Sequence, residues 1–407
     1  MNIDELRACF PGLSASVYGK PLVYLDNSAT SQRAQSVMDK WNEISVKCNA
    51  NLHRAVHKLA VDATEEYEST RDAVKEYIGA EHREEIVFTS GATASINLVA
   101  SSFGDAFISG GDKIIIAESE HHSNLVPGQM LAKRKKAEIV VLPVDDEGHI
   151  SGTQLARLID SKTRLLCVAQ ISNVLGIEND IKNLVNICHS KDCLVLADGA
   201  QGIVHGGMDV RETDVDFYVF SGHKMYAAPG TGVLYGKKEL LEKMPPYMGG
   251  GEMIETVSFA GTSYAPLPMK FEAGTQNIAG TPSLKPAIEM LRLMQTGEIS
   301  DSYRAVCDYV LEALQKDDRI KLYGVPRGTE GKIGLFSFTV KGVHHEDLAL
   351  ILDKMGIAVR SGQMCAEPLM DRFGVTGMVR ASFAPYNTMQ EAEYFIVSLD
   401  RAIKMLA

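Results

Sequence analysis

Short apolar runs, each closed by a cluster of small or polar residues, recur along the first 285 positions. Pro21 to Leu25 runs into Asp26-Asn27-Ser28-Ala29-Thr30. Glu85 to Thr89 runs into Ser90-Gly91-Ala92-Thr93, which opens a helix at Ala94. Asp112 to Ala117 ends in Glu118-Ser119-Glu120-His121-His122. Residues 138–143 give a further strand, and Leu165 to Ile171 reaches Ser172-Asn173. Cys193 to Ala197 ends at Asp198-Gly199-Ala200-Gln201, and Val215 to Phe220 at Ser221-Gly222-His223-Lys224. Runs of this length predict strands, and apolar positions without alternation predict strands buried on both faces, as in a parallel sheet. Helices are predicted over 3–9, from Asn51 to about residue 78, and near 180–190.

From about residue 285 the pattern changes. A helix over 283–316 is broken near Gly297. Strands at 319–323 and 333–340 follow, then helices at 345–356 and 389–405, with strands near 357–360 and 378–384 between them. The pattern predicts an α/β protein with a large domain over 21–285. Residues 1–20 and 286–407 are expected to form a smaller α+β domain.

Composition narrows the function classes. The formal charge of −11 opposes a nucleic-acid surface or a polybasic membrane patch. No apolar run spans a bilayer, and the acidic start, Met1 to Leu6, is no signal sequence, so a cytoplasmic location is expected. Seven scattered cysteines without a CxxC pair oppose a disulfide framework or a zinc ribbon. His53 and His57 are spaced like a metal-binding pair, but Arg54 stands where a metalloprotease needs Glu, and no metal is expected. The Ser90 turn lacks the Lys-Ser or Lys-Thr of a Walker loop. Gly230-Thr231-Gly232 enters a strand where a dinucleotide fingerprint would leave one.

Ligands of parallel α/β sheets sit at carboxyl strand ends. Lys224 lies at such an end. A buried ammonium is costly, and burial lowers its pKa. A neutral amine in a pocket suits Schiff-base chemistry with a carbonyl, of which pyridoxal phosphate is the commonest protein-bound case. The competing reading is a surface lysine after a turn. Asp198, at a neighbouring strand end if the strands are parallel, is placed to keep a pyridine nitrogen protonated; as a lone residue it reads equally well as a helix cap. The Asp26 cluster reads first as a cap.

The ordered set Ser90-Gly91-Ala92-Thr93, His121-His122, Ser172-Asn173, Asp198-Gly199-Ala200-Gln201, Ser221-Gly222-His223-Lys224 and Arg360-Ser361-Gly362-Gln363-Met364-Cys365 resembles the class V, fold-type I pyridoxal-phosphate enzymes. Within them it is similar to the group II, SufS-type cysteine desulfurases, which include selenocysteine lyase-like members. The resemblance runs from Tyr24-Leu25-Asp26 to Arg380-Ala381-Ser382. It implies that Lys224 carries pyridoxal phosphate, that Asp198 pairs with the ring nitrogen and Gln201 with the ring hydroxyl, and that His121 stacks on the ring. Thr93, Ser221 and His223 would hold the phosphate, and Thr275 would reach the phosphate of a partner subunit, implying a homodimer. Asn173 and Arg380 would bind the substrate carboxylate, with His53, Arg54 and Arg360 near the same pocket. Cys365 would accept sulfur as a persulfide. Two departures stand out: Ala94 replaces an acidic residue common after the phosphate-loop Thr, and Gln363-Met364 replaces a His-His pair.

The expected reaction is conversion of L-cysteine to L-alanine with sulfur passed to Cys365, feeding iron-sulfur cluster assembly through a SufE- or SufU-like acceptor. Competing readings are a selenocysteine lyase, an aminotransferase or epimerase in which Cys365 is a bystander, and a non-catalytic persulfide carrier or scaffold. The residues Lys224, Asp198 and His121 together oppose the last.

Overall fold

The computed structural model describes residues 1–325 and 332–406. Its centre is a seven-stranded sheet. In chain order the strands are β1 (Ile86–Thr89), β2 (Lys113–Ala117), β3 (Glu138–Leu142), β4 (Thr163–Ala169), β5 (Leu194–Asp198), β6 (Phe217–Ser221) and β7 (Gly232–Gly236). The spatial order is β1-β7-β6-β5-β4-β2-β3. Pairing from β6 through β3 is parallel, and β7 runs antiparallel to both of its neighbours.

Successive side chains of a strand point to opposite faces, and here both faces are dry. On β6, Phe217 and Val219 enter one core while Tyr218 and Phe220 enter another. Ile114 and Ile116 of β2 divide from Ile115 and Ala117 in the same way. This is why the sequence shows unbroken apolar runs rather than alternation. Each such side chain contributes about 1.5–3 kcal/mol by leaving water, so a one-residue slip of register would gain nothing and would displace every strand-end polar residue.

The smaller unit is a four-stranded antiparallel sheet, β8 (Ile320–Tyr323), β9 (Leu335–Val340), β10 (Arg360–Gly362) and β11 (Met378–Ser382), in the order β8-β9-β11-β10. Helices Gly297–Lys316, His345–Lys354 and Met389–Leu406 share its core. The last buries Ala392, Phe395, Leu399, Ala402 and Ile403, the spacing of a single helical face. The expected long helix is two, Leu284–Met294 and Gly297–Lys316, parted at Gly297, whose φ of +62° favours glycine.

Two expectations are corrected. By packing, Leu6, Phe10 and Leu13 of the N-terminal segment join the core of the large unit, as do Leu284 to Ile299. Val23 and Leu25 instead join the core of the smaller unit, where Val23–Tyr24 pairs in parallel with Ile357–Ala358. The helix expected from Asn51 starts at Lys58, because His53 takes a left-handed φ of +65° and His57 turns its Nδ1 onto the Ala60 N–H as a cap. Among the described residues no helix is long and apolar enough to cross a membrane.

Candidate active site

Parallel pairing of β2, β4, β5 and β6 brings their carboxyl ends to one edge of the sheet. The chain leaving each end lines one cavity of about 290 Å³. Its wall includes Thr93, His121, Asn173, Asp198, Gln201, Ser221, His223 and Lys224 from the large unit, and Arg360, Met364, Cys365 and Arg380 from the smaller.

Lys224 follows β6 by one tight turn, Gly222–Lys224. Gly222 is required there, since a Cβ would meet the Thr231 Oγ1 at 2.0 Å. Removal from water lowers the pKa of the Lys224 amine; the negative charge of Asp198 opposes this, while Arg380 adds to it. Asp198 ends β5 and is buried. Burial raises its pKa, partly offset by Lys224 and by the Ala200 N–H, which donates to Oδ1 at 2.9 Å. The bond from Ala200 closes a local turn rather than the helix cap anticipated from sequence, and the same carboxylate borders the cavity.

His121 follows β2. The Ser123 N–H donates to its Nδ1 at 3.0 Å, which puts the proton of the neutral ring on Nε2. Its pKa falls to about 4, first through burial and then through the nearby Lys224 amine, so the ring is neutral at physiological pH. His223 is lowered to about 4 for the same two leading reasons. At the end of β1, the Ala92 N–H donates to Ser221 Oγ at 2.8 Å, joining the first helical turn of Ala92–Leu98 to β6. Gly91 and Gly232 make this approach possible: a Cβ on Gly232 would lie 2.3–2.7 Å from the Gly91 backbone. Gln201 donates through Nε2 to the Ser28 carbonyl at 2.8 Å.

On the smaller unit, Arg380 is buried in β11. Nη1 donates to the Asn173 carbonyl at 2.8 Å and Nη2 pairs with Asp26 Oδ1 at 3.2 Å. Its Nε is buried with no partner. A buried donor left unpaired is costly, and a ligand oxygen in the cavity would satisfy it. Asn173 Nδ2 donates to the Met364 carbonyl at 2.8 Å. Cys365 is exposed at the cavity mouth. Its carbonyl accepts the His122 N–H at 2.7 Å, and the His122 Nε2 in turn accepts the Glu367 N–H at 3.1 Å. Met364 and Cys365 both have left-handed φ, +53° and +56°. Gln363, in place of a histidine, donates to Glu367 Oε1 at 3.2 Å.

Two expected residues, His53 and Arg54, are not brought to this cavity within one chain, and Thr275, expected at a partner's phosphate, does not line it either. His53 faces Glu68 (Nε2 to Oε1, 3.1 Å) and Arg54 pairs with Glu252 (3.1 Å). Thr275 lines a separate cavity of about 300 Å³ with Tyr67, Phe88 and Ala94. Two residues of the site went unread in the sequence. Asp26 was taken as a cap, yet it reaches Arg380 across more than 350 positions. Glu120 is buried beside the site, accepting from Ala169 N–H at 2.8 Å and Asn124 Nδ2 at 2.7 Å. Its carboxyl is raised to about 8, by burial first, with the charge of Asp198 adding. A charged residue one position before the His pair was the available signal for it.

The arrangement offers an amine of lowered pKa, a buried carboxylate, a neutral imidazole, an anion-seeking guanidinium and an accessible thiol in one cavity. This donor set fits pyridoxal phosphate: an amine for its carbonyl, a carboxylate for its nitrogen and a polar wall around Ser221 for its phosphate.

Comparison with known proteins agrees. Residues 23–395 match the family model Aminotransferase class-V. The chain is 42% identical over 406 residues to a probable cysteine desulfurase of Vibrio cholerae, covering all of both chains. It is 45% identical over 406 residues to a cysteine desulfurase of Yersinia pseudotuberculosis, covering 99% of each. Among solved structures it superimposes on the cysteine desulfurase CsdA (S-sulfonic acid) of Escherichia coli with a TM-score of 0.91 at 38% identity, covering 100% of both. Against the apo cysteine desulfurase of Thermococcus onnurineus the TM-score is 0.92 at 36% identity, covering 99% of this chain and 98% of the other.

Proposed function

Because this chain belongs to the class-V aminotransferase family and, within it, to the pyridoxal-phosphate-dependent cysteine desulfurases, we propose that the cavity around Lys224 converts L-cysteine to L-alanine and leaves the sulfur on Cys365. The observation that carries the reading is the meeting, in one cavity, of a buried lysine and an exposed cysteine supplied by different units.

Lys224 would hold the cofactor, Asp198 its ring nitrogen, Gln201 its hydroxyl, and Thr93, Ser221 and His223 its phosphate. Pyridoxal phosphate supplies an electron sink for the pair left when the Cα–H bond breaks. Arg380 and Asn173 orient the substrate carboxylate, with Arg360 beside them. The Lys224 amine, lowered in pKa by burial, takes the Cα proton. The neutral His121 ring covers this chemistry and presents Nε2–H to the cavity. The Cys365 thiolate attacks the substrate sulfur and the Cβ–S bond breaks with its electron pair left on the carbon fragment; sulfur stays on Cys365 as a persulfide, and protons returned from Lys224 and from water to Cα and Cβ complete the alanine that departs. Exposure of Cys365 suits the next step, transfer to an acceptor.

The short loop carrying Cys365 favours the SufS-type subgroup, a SufE- or SufU-like acceptor protein and a role in iron-sulfur cluster assembly, in the cytoplasm. A homodimer is part of the reading. In it Thr275, with His53 and Arg54, would serve the partner's site, since within one chain none of them lines the Lys224 cavity. Incubation with L-cysteine should yield alanine and protein-bound persulfide in equal first-turnover amounts. Cleavage of selenocysteine alone would move the assignment to a lyase, and alanine without persulfide on Cys365 would end the proposed role of that residue.

A further inference from the structure

Asp26 follows the short strand Val23–Tyr24 by two residues and bridges in parallel to Ser382 of β11, two positions along from Arg380. Leu25 accepts the Ser382 N–H at 2.7 Å, and the Asp26 carbonyl accepts the Ala29 N–H at 3.1 Å, so the backbone on both sides is fixed. Asp26 Oδ1 meets Arg380 Nη2 at 3.2 Å with both groups largely out of water, at 19% and 4% exposure.

Two arginines oppose each other here. Arg360 of β10 is the direct cross-strand partner of Arg380, and like charges in that position repel. The Asp26 carboxylate pairs with Arg380; burial raises its pKa, and the charges of both arginines act against that larger effect. With Nη2 bonded to Asp26 and Nη1 to the Asn173 carbonyl, the guanidinium is held from two sides, and Nε is its one nitrogen without a partner. The planar fork makes that orientation specific.

We propose that Asp26 is a positioning residue for substrate recognition: it fixes the Arg380 guanidinium so that its unpaired Nε meets the carboxylate of the amino-acid substrate. The inference rests on the reading of Arg380 as the carboxylate ligand. It assigns to Asp26 selectivity for α-amino acids over amines of the same carbon skeleton.

The test uses two ligands of the holoenzyme, L-alanine and ethylamine, which differ only by the carboxylate, titrated by the cofactor's absorbance. Asp26→Ala should weaken alanine by about tenfold to a hundredfold, the scale of losing a charge-assisted contact, and leave ethylamine unchanged. Asp26→Asn, which keeps the shape and one acceptor, should fall between wild type and Ala and serves if the Ala variant does not fold. KM for L-cysteine should rise in parallel with kcat little altered. Arg380→Lys is the control. If it weakens alanine and neither Asp26 variant does, the Asp26 inference is wrong and the Arg380 reading stands. If Arg380→Lys leaves alanine unaffected, the carboxylate is held elsewhere and both fail. Equal weakening of alanine and ethylamine by Asp26→Ala would show general damage and also overturn the proposal.

Discussion

Lys224 and Cys365 border the same cavity, yet they are held in opposite ways. Lys224 leaves a central strand whose five residues are all buried, one turn after β6. Cys365 sits in a loop of the smaller unit, exposed, with left-handed backbone at it and at Met364; the Cys365 carbonyl accepts the His122 N–H and the Met364 carbonyl accepts the Asn173 Nδ2. The difference follows from the two tasks proposed. Proton removal at carbon needs a dry amine whose pKa has been brought down, and dryness comes with a sheet covered on both faces. Sulfur delivery needs a thiol that an outside acceptor can reach, and loops over a rigid scaffold provide that.

Substitutions at the two places should therefore fail differently. Lys224→Ala should remove both functions: turnover falls by about a thousandfold or more, and borohydride no longer fixes the cofactor to the chain. A borohydride label at another lysine in wild type would break the comparison outright. Cys365→Ser should remove only one. It should fold, bind the cofactor and exchange the substrate's α-proton at near the wild-type rate, while persulfide mapped by mass spectrometry disappears and L-cysteine turnover falls by about a hundredfold or more, because a hydroxyl is a poor sulfur nucleophile. Desulfuration at the wild-type rate by Cys365→Ser would place the acceptor elsewhere.

Asp198→Asn sharpens the dry side. The amide keeps the size but not the charge, so α-proton exchange should fall by roughly ten- to a hundredfold with cofactor content largely kept, and unchanged exchange would remove Asp198 from the proposed role. Glu120 provides the smallest and most direct gauge of dryness. Folded, its pKa is raised to about 8; unfolded, it returns to the ordinary carboxylate range near 4.3. The folded state thus binds the extra proton between these values. The stability contribution is full below the unfolded pKa and is lost as pH rises through about 8. Thermal melts between pH 5 and 8.5 should show wild type losing stability by at most about 1.4 kcal/mol per pH unit from this group. Glu120→Gln should flatten that slope; identical slopes in the two proteins would mean that the carboxyl is hydrated.

Reading the chain as a sequence worked best where one residue's surroundings are local. The run Val215 to Phe220 is apolar because both faces of β6 are buried, and any polar group just after it must lie at the sheet edge. Asp198 and Ser221 were legible for the same reason. His53 and Arg54 were misread as the start of a helix because periodicity does not register a single left-handed residue. Asp26 was misread as a cap because local hydrogen bonding is the commoner fate of such a residue, while its partner Arg380 is remote in the chain.

The sequence by itself determined the strands, their burial and the polar cluster at each carboxyl end, since those follow from periodicity and the cost of burying unpaired polar groups. Its motifs also carried the family resemblance. Only the tertiary structure decided that Asp26 pairs with Arg380, that Glu120 is buried beside Asp198, and that His53 meets Glu68 rather than lining the Lys224 cavity. Those facts depend on strand order and on how the two units dock. Hydrophobic burial rewards many dockings almost equally, and the choice among them rests on long-range contacts that no local window of sequence contains.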